Sequence, residues 1–284
     1  MEFKNLSNTI KIPVIGLGTW TIGGGDEADT TYDKENISAI KTAIKLGITH
    51  IDNAEAYAQG HSEELVGRAI VGLDRKSLFI TSKVSPEHLS YDNLLASAKG
   101  SLQRLNTDYI DLYLIHAPNP DIPIQETMKA MDFLVEQKLV RCIGVSNFSV
   151  DQIKEAQKYT KNKIVANQIE YNLLVRDKGR VTENMESEII PYCQENNIFI
   201  IAWRPLAKGK LAKPGFKILD ELADKYHKTQ AQIAINWLIS KKGIVVISKS
   251  TKVEHLEKNL GAIGWKLRQE DTDRLNNEFI NSRT

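Results

Sequence analysis

Four side chains carry the strongest chemical signal in the sequence: Asp52, Tyr57, Lys83 and His116. Asp52 ends the apolar run "ITHID", and Tyr57 follows five residues later in "HIDNAEAY". Lys83 stands near the end of "LFITSKV", and His116 near the end of "YIDLYLIHA". Each alone has an ordinary structural reading: a turn cap, a packed tyrosine, a surface lysine, a hydrogen-bonded core histidine. Together they make an ionisable cluster that adds little to packing and costs stability. A phenol titrates near ~10 and an ammonium near ~10.4. An ammonium beside the phenol favours phenolate, so Lys83 is expected to lower the Tyr57 pKa. Asp52 would hold that ammonium in place and keep it charged. His116 could donate to the same oxygen that Tyr57 addresses. Such a cluster protonates and stabilises one substrate oxygen, which suits a carbonyl becoming an alkoxide. It offers no nucleophile paired with a base and no set of metal ligands, so a hydride has to come from a cofactor.

The elements that position these groups can be read from the apolar runs. The runs are "VIGLGT" (14–19), "ITHID" (48–52), "LFITSKV" (78–84), "YIDLYLIHA" (109–117), "CIGVS" (142–146), "IVANQIE" (164–170), "IFIIAW" (198–203) and "IVVIS" (244–248). They are rich in Ile and Val and mostly do not alternate, as strands buried on both faces read. Amphipathic stretches lie between them. Ile37, Ile40, Ala43 and Ile44 share one helical face, as do Leu94, Leu95, Ala98, Leu102 and Leu105. Ser149 stands three residues before Gln152, a capping-box spacing. Strands alternating with helices predict right-handed βαβ units and a parallel sheet. Eight units in 284 residues predict an α/β fold, a single (β/α)8 TIM barrel domain over 1–284. The residues before Val14 are expected to form a hairpin over the barrel floor, and 269–280 an extra C-terminal helix. In this barrel the chemistry sits at the C-terminal mouth, where Asp52, Lys83, His116, Ser146, Asn147, Gln168, Trp203, Lys249 and Ser250 all fall at or near strand ends.

Bulk properties narrow the partners. The 37 basic and 36 acidic residues nearly cancel, so no net field favours nucleic acid or a membrane surface. Cys142 and Cys193 are far apart, which fits a reducing cytoplasm rather than a disulfide framework. The N-terminus lacks the pattern of a signal peptide, and no apolar stretch approaches the ~20 residues of a membrane span. "GLG" at Gly16 lacks the third glycine of a dinucleotide fingerprint. His61 beside Glu63 and Glu64 resembles a metal cluster but reads better as an acid-rich helix start.

With these residues in place, the chain resembles the aldo-keto reductases nearly end to end. "GLGTW" resembles the family's opening motif, "HIDNAEAY" its Asp-and-Tyr segment, "ITSKV" its Lys segment and "LIHAP" its His segment. "GVSNF" and "NQIEYN" resemble its nicotinamide-contact segments, and "IIAWRPLAKGKL" and "VISKS" its phosphate-binding segments. The individual strings are weak; their order, one per barrel unit, is highly specific.

The resemblance implies an NAD(P)H-dependent oxidoreductase that reduces aldehydes or ketones reversibly by hydride transfer from nicotinamide C4. Tyr57 would be the general acid, Asp52 and Lys83 would tune it, and His116 would orient the carbonyl. Ser146, Asn147 and Gln168 would hold the nicotinamide carboxamide. Thr19 would flank the cofactor, and Trp20 both the cofactor and a substrate pocket shared with Tyr57 and His116. Trp203 stands where the family commonly has Tyr, and its ring would stack under the nicotinamide. Arg204 stands where the family commonly has Ser and could pair with phosphate; the alternative is an Arg turned to solvent. Leu206 belongs to the same phosphate-binding segment.

At the adenosine end, Lys249 and Ser250 match 2′-phosphate ligands and Asn259 an adenine contact. Thr251 and Glu254 have capping-box spacing at the start of a helix whose N-terminus suits an anion. His255 replaces a common phosphate-binding Arg and is mostly uncharged at neutral pH. Lys249 and Ser250 imply NADP(H) as the preferred cofactor, while His255 in place of the Arg implies a weaker 2′-phosphate grip and leaves NAD(H) open. The lysine-rich stretch 207–217 could close over the pyrophosphate or be a solvated loop. The partner is a small carbonyl or alcohol substrate. A monomer is the expected state, no metal is expected, and no long C-terminal flap is expected over the pocket. An alternative function is a cofactor-sensing regulatory subunit with little turnover, against which the expected lack of an N-terminal extension counts. A metal-dependent hydrolase on the same barrel would need more strand-end histidines than His116.

Overall fold

The computed structural model describes residues 1–6 and 10–281. Two short strands, β1 (Phe3–Asn5) and β2 (Lys11–Pro13), form an antiparallel hairpin. The barrel strands are β3 (Ile15–Gly18), β4 (His50–Asp52), β5 (Phe79–Val84) and β6 (Ile110–Ile115). They continue with β7 (Val140–Ser146), β8 (Ile164–Glu170), β9 (Phe199–Trp203) and β10 (Ile244–Ser248). These eight pair in parallel, in chain order, and β10 returns to pair with β3, closing the barrel. The chain is thus a (β/α)8 TIM barrel. Most strands are buried along their whole length, which is why their sequences run apolar rather than alternate.

The connecting helices begin with α1 (Asp33–Lys45), α2 (His61–Ile70), α3 (Tyr91–Leu105), α4 (Ile124–Glu136) and α5 (Val150–Lys158). After them come α6 (Ile190–Glu195), α7 (Lys217–Tyr226), α8 (Gln230–Ile239), α9 (Val253–Leu260) and α10 (Gln269–Asn281). The extra C-terminal helix falls where the sequence places it. Ser149 and Gln152 form the expected capping box at α5. The expected box at Thr251 and Glu254 does not form: α9 starts later, behind Lys252, with no side-chain cap. Ser250 Oγ instead accepts from the Lys252 backbone N at 3.1 Å, a local turn that delays the helix.

The hairpin closes the barrel floor through one lysine. Lys4 Nζ donates to the carbonyls of Ile239, Lys241 and Ile244 at 2.6, 2.7 and 2.7 Å, at the entry to β10. The outer layer also packs closely. A Cβ on Gly67 of α2 would come within 2.3 Å of the Arg104 carbonyl on α3. Glycine is what allows these two helices to approach so far.

Candidate active site

Asp52 is the last residue of β4 and is 1% exposed. Register sets Asp52 opposite Thr81, and Lys83 lies farther along the same neighbouring strand, opposite Leu114. Lys83 Nζ therefore meets Asp52 Oδ1 at 2.6 Å inside the barrel. The ammonium also donates to the Asn53 carbonyl at 2.7 Å and to the Tyr57 hydroxyl at 3.1 Å. Tyr57 opens a tight turn, Tyr57–Gly60, that folds it back over the mouth. His116 follows β6 and meets the Tyr57 ring edge-on, with ring centres 5.7 Å apart. The four sequence-predicted groups are one contiguous cluster.

Electrostatics modify the sequence expectation. Burial raises the Tyr57 pKa, the Lys83 ammonium opposes it, and the net shift is upward. The expected depression is therefore overturned: loss of solvent outweighs the cation. Tyr57 is a neutral phenol that keeps its proton. Burial pulls the Lys83 pKa down, but the Asp52 carboxylate more than reverses it, so the lysine stays an ammonium. Burial, aided by the Lys83 charge, pushes His116 down to about 3, so its ring is neutral and donates from a single nitrogen.

The cluster lines a cavity of about 890 Å³ that also takes in Thr19, Trp20, Ser146, Asn147, Gln168, Trp203, Arg204, Leu206, Lys249, Ser250, His255 and Asn259. All sixteen sequence-predicted residues except Lys83 reach its wall; Lys83 lies beneath it, fully buried. Gln168 Nε2 donates to Asp52 Oδ2 at 2.7 Å, which leaves its Oε1 to accept. Ser146 Oγ donates to the Gln168 carbonyl, and Asn147 Nδ2 to Ser146 Oγ and the His116 carbonyl. Asn147 Oδ1 is buried with no partner. An unpaired acceptor at a cavity wall fits the amide donor of a carboxamide. Asn259 Nδ2 donates to Ser248 Oγ at 3.2 Å, which fixes that part of the cavity wall.

Arg204 does not point to solvent. Its guanidinium lies over the Trp203 ring at 4.8 Å and the Trp20 ring at 5.6 Å, and Nη1 stands 3.4 Å from Glu170 Oε1. The loop 207–217 is partly ordered as a 3-10 segment, Ala207–Ala212, anchored by buried Leu211, and Lys208, Gly209 and Ala212 face the cavity. Sequence reasoning missed Arg180, Thr229, Gln230 and Lys258, which also line it. They come from loops and helix ends with no recognisable string; only the basic character of Arg180 and Lys258 gave a faint signal. His61 pairs with Asp33 and Glu64, and Glu63 turns the other way, to Arg104 and Ser82. No described helix is long and apolar enough to cross a membrane.

Comparison with known proteins agrees with this geometry. The profile of the Aldo/keto reductase family matches residues 14–278. A glyoxal reductase of Bacillus subtilis is 36% identical over 95% of this chain and 90% of its own. A methylglyoxal reductase of Escherichia coli is 33% identical over 92% of this chain and 89% of its own. A thermostable aldo-keto reductase solved with the inhibitor epalrestat superposes with a TM-score of 0.92 at 44% identity, covering 98% of this chain and all of that one. A Klebsiella pneumoniae aldo/keto reductase solved with NADP and acetate gives 0.83 at 32% identity, covering 95% of this chain and 92% of that one. On sequence, fold and the arrangement of its mouth, the chain belongs to the aldo/keto reductase family.

Proposed function

We propose that the chain reduces small aldehydes and ketones with NADP(H), using Tyr57 as the general acid. The chain is an NADP(H)-dependent oxidoreductase of the aldo-keto reductase type. The observation that carries the assigned roles is the Tyr57 hydroxyl, held 3.1 Å from the Lys83 ammonium with the neutral His116 ring against it. A nicotinamide held in this cavity would supply the hydride for the carbonyl carbon. Tyr57 gives its proton to the carbonyl oxygen as negative charge develops there. Lys83 stabilises the phenolate left behind, and Asp52 keeps Lys83 charged and in place. His116 offers one N–H to the same oxygen and orients the carbonyl.

The cofactor roles follow the cavity wall. Asn147 Oδ1 and Gln168 Oε1 would accept from the carboxamide, with Ser146 completing that wall. Trp203 would stack under the nicotinamide, Thr19 and Trp20 would flank it, and Arg204 with Leu206 would border the pyrophosphate. Lys249, Ser250 and His255 would take the 2′-phosphate, and Asn259 the adenine. Lys258 adds a second lysine at that end, which supports NADP(H) despite His255. The names of two relatives, a glyoxal and a methylglyoxal reductase, support small dicarbonyls as the first substrates to try. They also support turnover over cofactor sensing. The free, buried Cys142 and Cys193 support a cytoplasmic location, and a monomer is proposed.

The test follows NADPH consumption with glyoxal, methylglyoxal and larger carbonyls. Turnover that Tyr57→Phe abolishes and a chelator leaves unchanged is expected. Tight NADPH binding with no turnover on any carbonyl overturns the proposal.

A further inference from the structure

His61 opens α2 directly behind the turn that carries Tyr57. In that turn Ala58, Gln59 and Gly60 have φ of 51°, 55° and 89°. Two successive non-glycine residues in the left-handed region persist only where the surroundings hold them. The holding contacts come from the loop after β3. The Ala58 N–H donates to the Gly25 carbonyl at 3.1 Å, and Ser62 Oγ donates to the Thr19 carbonyl at 3.2 Å. The same loop places Trp20 and Gly25 in the cavity wall.

The His61 ring sits in the seam between this loop, α1 and α2. A Cβ on Gly23 would come within 2.9 Å of His61 Cδ2, so the loop rests directly on the ring. Nε2 lies 2.8 Å from Asp33 Oδ1 on α1, and Nδ1 lies 2.9 Å from Glu64 Oε2 on α2. A carboxylate only accepts, so both ring nitrogens must donate, and only imidazolium does that. A cation is disfavoured at a helix N-terminus, so these two carboxylates hold the charge there. Arg68 of α2 reaches the other Asp33 oxygen at 2.9 Å and fixes that carboxylate in place. Glu63 faces away, to Ser82 and Arg104, and Gly23 packs against the carbon edge of the ring. Burial pulls the His61 pKa down, the bonds to Glu64 and Asp33 outweigh it, and the net shift is upward. Loss of the proton would turn a ring lone pair towards one of the carboxylates and break one side of the seam.

We propose that His61 is a positioning residue: protonated, it ties α1 to α2 under the loop after β3 and so supports the Tyr57 turn that this loop holds, and it loosens that support as pH rises. The proposal rests on Tyr57 being the acid only for its effect on turnover; the tie itself is independent of that role.

The test combines an NMR titration of the His61 ring, assigned with His61→Gln, with the pH dependence of NADPH Kd and of kcat/KM for methylglyoxal. His61 is expected to titrate above the ordinary histidine value near ~6.5. Asp33→Asn removes one of the two carboxylates that favour the charged ring and should lower that value. NADPH Kd and carbonyl KM should rise across the same titration. That inflection should vanish in His61→Gln and move down in Asp33→Asn. A His61 that titrates at or below the ordinary value overturns the proposal. So does an inflection that neither variant moves while both merely lower Tm. If His61→Gln fails to fold, the wild-type and Asp33→Asn titrations still decide. A tie intact by NMR and NADPH Kd, with no carbonyl turnover at any pH, would count against the catalytic reading alone.

Discussion

Gln168 reaches across the barrel and donates to Asp52 Oδ2 at 2.7 Å, from a position 116 residues away. With Lys83 on the other oxygen, Asp52 joins the lysine proposed to tune the acid to a residue of the proposed carboxamide wall. Asp52→Asn removes the only negative charge bonded to the buried ammonium among the described residues. A buried charge left unpaired costs about 3–5 kcal/mol. Asp52→Asn should therefore lower both stability, read by urea unfolding, and kcat. Full stability with normal turnover would show that Lys83 is charged by some other route.

Tyr57→Phe removes the proposed proton donor and the acceptor it offers to Lys83, while the ring still packs at the cavity wall. Loss of a general acid is worth about 10²–10⁴-fold. Steady-state kinetics should show kcat reduced on that scale, with NADPH Kd unchanged by fluorescence titration.

Lys249→Ala should weaken NADPH by more than NADH. The lysine is exposed at the cavity wall, where the proposed 2′-phosphate would present charge to it. Equal losses for both cofactors in isothermal titration would place it away from that group.

Two buried histidines make the fold sensitive to acid. Burial pushes His50 to about 4 and His116 to about 3. In the unfolded chain both titrate near ~6.5. Below that value the unfolded state takes up protons that the folded state refuses, so stability falls with pH until the folded values are reached. Tm measured from neutral pH downwards should fall, and His116→Asn should flatten the fall. A kinetic inflection near neutrality should survive His116→Asn, because that ring is already neutral there.

Gly67→Ala separates propensity from packing. In an exposed helix the change would gain about 1 kcal/mol. Here the new methyl would meet the Arg104 carbonyl at 2.3 Å. Overpacking costs about 1–3 kcal/mol, so a lower Tm by calorimetry is expected.

The barrel was legible because a strand buried on both faces has little choice of residue. "IVANQIE" gives β8 to the residue, Ile164–Glu170. β7 begins at Val140, two residues before its apolar run suggests, because Val140 pairs with Ile110 although exposed Arg141 interrupts the pattern. The four proposed catalytic groups were legible because each sits at or just after a strand end, and strand ends meet at one mouth. Arg180 and Lys258 were not, because loop paths are set by tertiary contacts rather than by local pattern. The direction of the Tyr57 shift was not legible either. Sequence places the cation nearby but does not show how much water the phenol loses.

The floor clamp has a consequence for how the chain is made. Lys4 finds its three acceptors between residues 239 and 244, and β3 finds its second neighbour in β10. A ribosome therefore releases the first strand long before its last partner exists. Until residue 248 emerges, the nascent sheet carries two bare edges, β3 and the newest strand, each able to capture a neighbouring polypeptide. Ring closure during biosynthesis cannot precede β10, so chains that stall short of it keep both edges open to aggregation.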